Sequence, residues 1–158
     1  MSPGGSVPTR VVIAGAAGRM GRTLLALAFR DSSLRVAGAF EAPGHPAVGS
    51  DAGALAGAGA SEVRIADRPA DALGPGVVLV DFTWPEPSLE HLRAAARAGA
   101  AAVVGTTGFG PEQQREIEEI ARSTAIVQAA NMSVGVTVLA EITTAVARRL
   151  GNAFDIEI

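Results

Sequence analysis

A chain of 158 residues has room for one domain with a full hydrophobic core and a short extension, and hardly for two domains. Its net charge of -3, with 13 scattered Lys and Arg, offers no basic field for a nucleic-acid backbone, and the absence of Cys excludes a disulfide framework, a thiolate nucleophile and a Cys-ligated metal. The first ten residues hold Gly, Pro and Ser but no apolar run of signal-peptide length, so no export or membrane segment is expected and a cytoplasmic setting fits.

Short apolar runs alternate with segments of helical period, the pattern of parallel strands buried on both faces and joined by crossover helices; the expected fold class is α/β. Residues 11–14 read as the first strand and 19–30 as a helix, with Leu24, Leu25, Ala28 and Phe29 on one apolar stripe. Residues 34–40 read as the second strand, and 42–61, crowded with Gly, Ala and Pro, as a long solvated loop. A third strand is expected at 63–66, a helical turn at 69–73 and a fourth strand at 77–82. The next helix, 86–98, closes on Gly99, a residue suited to the left-handed conformation, and 101–104 form the fifth strand. Pro111 suits the first position of another helix and Glu112 its positive first turn, with a sixth strand at 125–128. Ser133 caps a last helix whose Val134, Val138, Ile142, Ala145 and Val146 share a face, and 155–158 read as the start of a further strand.

The strongest chemical signal is Gly15-Ala16-Ala17-Gly18-Arg19-Met20-Gly21, set between an apolar strand and an amphipathic helix. A pyrophosphate needs peptide N–H groups aimed at it, a helix N-terminus behind it and no side chain in the way, and Gly15, Gly18 and Gly21 meet those demands. The spacing is G-x-x-G-x-x-G, with Ala17 where the second glycine more commonly stands, so a tight strand-to-helix turn without ligand is the competing reading. No Gly-Lys-Ser/Thr follows, which disfavours a phosphate-loop NTPase.

Glu41 stands at the end of the second strand, where a carboxylate accepts hydrogen bonds from adenosine ribose hydroxyls; an ordinary solvated strand end is the alternative. That carboxylate repels a 2′-phosphate and the next residue, Ala42, supplies no guanidinium, so NADH is expected to be preferred, with NADPH acceptance open through Arg19. Three further patches follow later strands: Asp81-Phe82-Thr83-Trp84-Pro85, Gly105-Thr106-Thr107-Gly108, and Ala129-Ala130-Asn131-Met132-Ser133. Carboxyl ends of parallel strands are where ligands sit in such sheets, and these patches offer small residues, hydroxyls and an amide for a nicotinamide and its ribose.

With G-x-x-G-R-M-G, D-F-T-x-P, G-T-T-G and A-x-N-x-S-x-G in this order, the chain resembles dihydrodipicolinate reductase, the NAD(P)H-dependent enzyme family of diaminopimelate and lysine biosynthesis, from Val11 to Ile158. The resemblance implies a Rossmann-type doubly wound sheet. It assigns Gly15 to Met20 to the pyrophosphate, Glu41 to the adenosine ribose, Gly105 to Thr107 to the nicotinamide ribose and carboxamide, and Ala129 to Met132 to the ring. Ala42 departs from the basic residue common in the family, and Met132 stands where Phe is commoner.

Family members continue into a substrate domain carrying a His-His-x-x-Lys run and a Ser-Gly-Thr-Ala loop, neither of which occurs here. The expectation is therefore a dinucleotide-binding domain over 1–130 and, over 131–158, a linking helix and the first strand of a substrate domain otherwise missing. No catalytic residue and no metal are expected within the chain, and His45 and His91 read as solvated or partly packed. The family is tetrameric, whereas this chain is expected to be a monomer or an irregular associate, with apolar surface exposed near Ile156 and Ile158. Two other readings are a stand-alone dinucleotide-binding module whose last helix docks on a partner, and a different two-domain reductase of amino acids or sugars.

Overall fold

The computed structural model describes residues 7–151 and Phe154, so the strand expected at 155–158, and with it the surface at Ile156 and Ile158, lies outside the described residues. Two compact units are present, Met1–Gln128 and Ala129–Ile158.

The first unit is a six-stranded parallel sheet in the order β3-β2-β1-β4-β5-β6, a Rossmann-type α/β fold. Its strands are β1 (Thr9–Ala14), β2 (Leu34–Phe40), β3 (Ile65–Ala66), β4 (Val77–Asp81), β5 (Ala101–Val104) and β6 (Ile126–Gln128). The helices are α1 (Arg19–Ala28), α2 (Ala52–Leu55), α3 (Pro85–Ala98) and α4 (Pro111–Ile120), with a 3-10 turn at Pro69–Asp71. Chain order reverses between β1 and β4, which leaves a crevice at the carboxyl ends of those two strands.

The apolar run of β1 is explained by burial on both sides. Val11 and Ile13 join Leu25, Ala28, Val36 and Ala39 in the core layer beneath α1. Val12 and Ala14 point the other way, into the layer with Leu79, Leu89, Leu92 and Val104 beneath α3. The period of two in side-chain direction makes each alternate residue serve one layer.

One irregularity matters for the site. Val11 pairs with Val36 but Val12 pairs with Gly38, so Ala37 is an extra residue bulging from β2. The bulge resets the alternation, placing Ala39 in the α1 layer and turning Phe40 into the α3 layer.

The segment expected as a solvated loop over 42–61 is in part structured. Asp51 caps α2 by accepting from the Ala54 N–H at 2.9 Å, and the same carboxylate accepts from the Ser61 N–H at 3.1 Å and the Ser61 hydroxyl at 3.0 Å. These bonds, led by that from Ala54, outweigh desolvation and lower the Asp51 carboxyl to about 2. Hydrogen bonds from Gly49 to Ile65, Ala52 to Val63 and Ile65 to Ser50 lay this segment along β3, covering the sheet edge.

Other boundaries shift by a residue or two. Helix α1 ends at Ala28 instead of 30, β4 stops at Asp81 with Phe82 outside it, and β3 shrinks to two residues. Gly99 adopts φ +68° as the left-handed cap of α3, and Pro111 opens α4.

The second unit is built on α5 (Val134–Leu150). The Ser133 hydroxyl accepts from the Val136 N–H at 3.4 Å, and Arg148 and Arg149 lie in the last turn, where cations favour the helix dipole. Among the described residues, no helix is long and apolar enough to cross a membrane.

Candidate functional site

The turn from β1 to α1 is shaped by its glycines. Gly15 takes φ +61°, a conformation costly for any residue with a side chain. A Cβ at Gly21 would collide with the Gly15 carbonyl and stand 2.8 Å from the Ala16 Cα, so only glycine lets α1 start this close to β1. Gly18 N–H closes the turn onto Gly15 O at 3.0 Å, and Ala16, fully buried, anchors it through its N–H to Phe40 O at 3.1 Å.

Helix α1 has no side-chain cap and no acid in its first turn. Its first intrahelical N–H bond runs from Arg22 to Gly18 O, so the amides of Arg19, Met20 and Gly21 have no acceptor within the helix. An uncapped N-terminus of this kind, behind a side-chain-free turn, has the donor set an anionic phosphate needs.

Glu41 is joined directly to that turn. One carboxylate oxygen accepts from the Ala17 N–H at 2.8 Å and the other from the Ala42 N–H at 3.0 Å. The carboxylate is thereby held at the rim while its oxygens keep lone pairs for further donors. Arg22, which sequence reasoning missed, supports the same turn from the helix side through Nε to the Ala17 carbonyl at 2.9 Å.

The D-F-T and G-T-T stretches meet beside the glycine turn. A Cβ on Gly15 would stand 2.8 Å from Thr83 Cγ2, and one on Gly105 would collide with the edge of the Phe82 ring. The Gly105 N–H donates to Asp81 O at 2.8 Å, tying the end of β5 to the end of β4.

Asp81, expected among the ligand-facing residues, is completely buried and does not line the cleft. Its carboxylate accepts from the Thr83 N–H at 2.8 Å and the Thr83 hydroxyl at 2.6 Å, with a long bond from the Thr106 hydroxyl at 3.4 Å. Its other oxygen is 2.8 Å from His91 Nδ1, whose ring packs edge-on against Phe40 at 4.9 Å between centroids. Burial pushes the Asp81 carboxyl up, but the bonds from His91 and Thr83 and the charge on His91 more than offset this and hold it below 3.8.

These elements surround a cleft of about 900 Å³ at the switch point of the sheet. Of the residues singled out by sequence, Gly15, Gly18, Arg19, Met20, Gly21, Glu41, Phe82 and Thr83 line it. Ala16, Ala17, Asp81, Gly105, Thr106 and Thr107 do not form its wall; Thr106 is buried and Thr107 exposed. The cleft also takes in Trp84 of the Asp81–Pro85 patch, and Arg68 and His91, which no motif places there. Trp84 is 76% exposed, a large apolar surface left uncovered at the rim.

Ala129, Ala130, Asn131 and Met132 belong to the second unit. Within it, Asn131 Oδ1 accepts from the Ser133 N–H at 2.8 Å, so that side chain shapes the turn into α5. Met132 is exposed. Among the described residues no cluster of three or more His, Asp or Glu is arranged to hold a metal ion.

Residues 9–132 match the family model described as dihydrodipicolinate reductase, N-terminus. Proteins named 4-hydroxy-tetrahydrodipicolinate reductase are similar, at 45% identity in Anaeromyxobacter dehalogenans (strain 2CP-C) over 95% of this chain and 56% of that protein. In Rubrobacter xylanophilus the figures are 46% identity over 94% of this chain and 55% of the relative. The chain thus spans about 56% of the length of the curated relatives it matches.

Among solved structures, dipicolinate-bound dihydrodipicolinate reductase from Paenisporosarcina sp. TG-14 superposes with a TM-score of 0.70 at 19% identity, covering 89% of this chain and 54% of that one. Biliverdin reductase from Synechocystis sp. PCC 6803, in complex with biliverdin and NADP+, gives a TM-score of 0.64 at 17% identity, over 94% of this chain and 45% of that one. Both likenesses bear on the fold alone. On the family match and the curated relatives together, the chain belongs to the dihydrodipicolinate reductase family and corresponds to its N-terminal region.

Proposed function

We propose that this chain is the cofactor-binding part of a cytoplasmic 4-hydroxy-tetrahydrodipicolinate reductase of diaminopimelate and lysine biosynthesis, and that it takes NADH in preference to NADPH. The observation that carries the reading is the uncapped start of α1 behind a glycine turn, held against Glu41 through the Ala17 amide. Residues 1–130 form the dinucleotide domain, and α5 is the linking helix that follows it.

The residues fit a dinucleotide. The amides of Arg19, Met20 and Gly21 hold the pyrophosphate, and Gly15, Ala16, Ala17 and Gly18 keep the approach free of side chains. Glu41 accepts from the adenosine ribose hydroxyls. Phe82 and Thr83 border the nicotinamide ribose and carboxamide, with Gly105, Thr106 and Thr107 behind them and Asp81 as the brace.

A reduced nicotinamide supplies hydride when bound. The complementary task, holding a dicarboxylate and giving it a proton, falls in this family to the His-His-x-x-Lys and Ser-Gly-Thr-Ala runs, which these 158 residues do not contain. The chain by itself is therefore expected to bind cofactor without turnover and to stay monomeric or associate irregularly.

Calorimetric titration with each cofactor tests the reading. NADH is expected to bind about tenfold more tightly than NADPH, a difference of about 1.4 kcal/mol, because the Glu41 carboxylate opposes a 2′-phosphate. Equal affinities would overturn the preference, and a measurable reductase rate would overturn the assignment of the chain as a cofactor part only.

A further inference from the structure

Position 42 offers no cation beside Glu41, yet the fold brings one in from a different strand. Phe40 pairs with Ala66, and the Glu41 N–H donates to Ala66 O at 3.0 Å, so the ends of β2 and β3 run side by side. The chain leaving β3 is Asp67-Arg68, and both residues line the cleft with Glu41, Ala42 and Pro43. Arg68 is separated from Glu41 by 27 positions in sequence, and no local motif links the two.

We propose that Arg68 is a specificity-determining residue at the adenosine end of the cleft, the guanidinium that sets how far a dinucleotide bearing a 2′-phosphate is admitted. This rests on the reading of the cleft as a dinucleotide site with Glu41 at the ribose. Arg68 is now engaged by neighbours on its own turn: Nε donates to Asp71 Oδ2 at 3.0 Å, Nη2 to Asp71 Oδ1 at 3.3 Å, and Asp67 Oδ1 is 3.6 Å from Nε. The Arg68 side chain is 70% exposed, and ion pairs in such solvent contribute little. A phosphate dianion carries more charge than a carboxylate and offers two of its tetrahedral oxygens to the planar, two-pronged guanidinium, so exchanging Asp71 for phosphate is favourable.

On this arrangement the admission is expected to be partial. Glu41 and Asp67 line the cleft and Asp71 pairs with Arg68 behind them, three carboxylates against the guanidiniums of Arg68 and Arg19. The surplus is negative, which favours the cofactor without the extra phosphate, while Arg68 limits the penalty on the one that carries it.

Calorimetric titration of the chain with NADH, NADPH, 5′-AMP and 2′,5′-ADP tests the assignment. Arg68→Ala is expected to weaken NADPH and 2′,5′-ADP by about tenfold while NADH and 5′-AMP change by less than about twofold. Asp71→Asn, which releases the guanidinium from one carboxylate, is expected to tighten NADPH about threefold. Equal effects of Arg68→Ala on both cofactors, or none on either, would overturn the role of Arg68 while leaving the dinucleotide reading standing. Failure of the unaltered chain to bind either cofactor would overturn the dinucleotide reading and this inference together.

Discussion

Substituting Gly21 by Ala is expected to abolish tight cofactor binding, raising the NADH dissociation constant by about a hundredfold. A methyl group there collides with the Gly15 carbonyl and presses on the Ala16 backbone at 2.8 Å, and backbone cannot swing aside as a flexible side chain can. Helix α1 must move away from β1, carrying with it the amides of Arg19, Met20 and Gly21. Losing two charge-assisted bonds of about 1.5 kcal/mol each accounts for that factor. Overpacking also destabilises the fold, by about 1–3 kcal/mol. Gly74→Ala is the control, since a Cβ there meets nothing within 4 Å and affinity should not change. Titration calorimetry and thermal melting of the two variants separate the outcomes.

The second large effect belongs to Asp81. Asp81→Ala leaves the Thr83 N–H and hydroxyl, the Thr106 hydroxyl and His91 without their common acceptor inside the protein. Removing one partner of a buried, hydrogen-bonded charged group costs about 3–5 kcal/mol. For a chain of this length that lowers the melting temperature by roughly 6–20 °C. The pH dependence carries the same signature. Because the folded carboxyl lies below 3.8, its contribution is present above that pH and is lost as pH falls through the folded value. Asp81→Ala should therefore flatten the acid limb of the stability curve as well as lowering its plateau. His91→Asn, which keeps a donor toward Asp81, should cost less than His91→Leu.

What the sequence discloses of this fold depends on how local the cause is. Strands β2 and β5 fall where their apolar runs place them because burial on both faces needs no partner to be recognised. The caps at Gly99 and Ser133 and the helix-opening Pro111 are equally local, each acting within one turn. Helix α2 was hidden for the opposite reason. It is four residues of Ala, Gly and Leu with no apolar period, and its capping residue Asp51 is fixed by Ser61, ten positions away. The bulge at Ala37 lies in a run of small residues in which alternation cannot be read, yet it decides that Phe40 meets His91.

The site follows the same division. Glycines that must be glycines, and an acid at the end of β2, are legible as a motif. That Glu41 grips the Ala17 amide, 24 residues back, is not. A carboxylate in a D-F-T stretch reads the same whether it faces a ligand or stands behind it; only burial showed Asp81 to be a brace. His91 was expected to be solvated or partly packed, and its side chain is 14% exposed, but its bond to Asp81 joins a strand end to a helix and leaves no mark in sequence spacing.

The central claim is that cofactor phosphates rest on the free amides at the start of α1. Amide-resolved nuclear magnetic resonance of the nitrogen-15-labelled chain during NADH titration tests it most directly. The largest shifts are expected on Arg19, Met20 and Gly21, with Ala17 and Ala42 following as Glu41 adjusts. Saturable NADH binding that leaves those amides unmoved would contradict it.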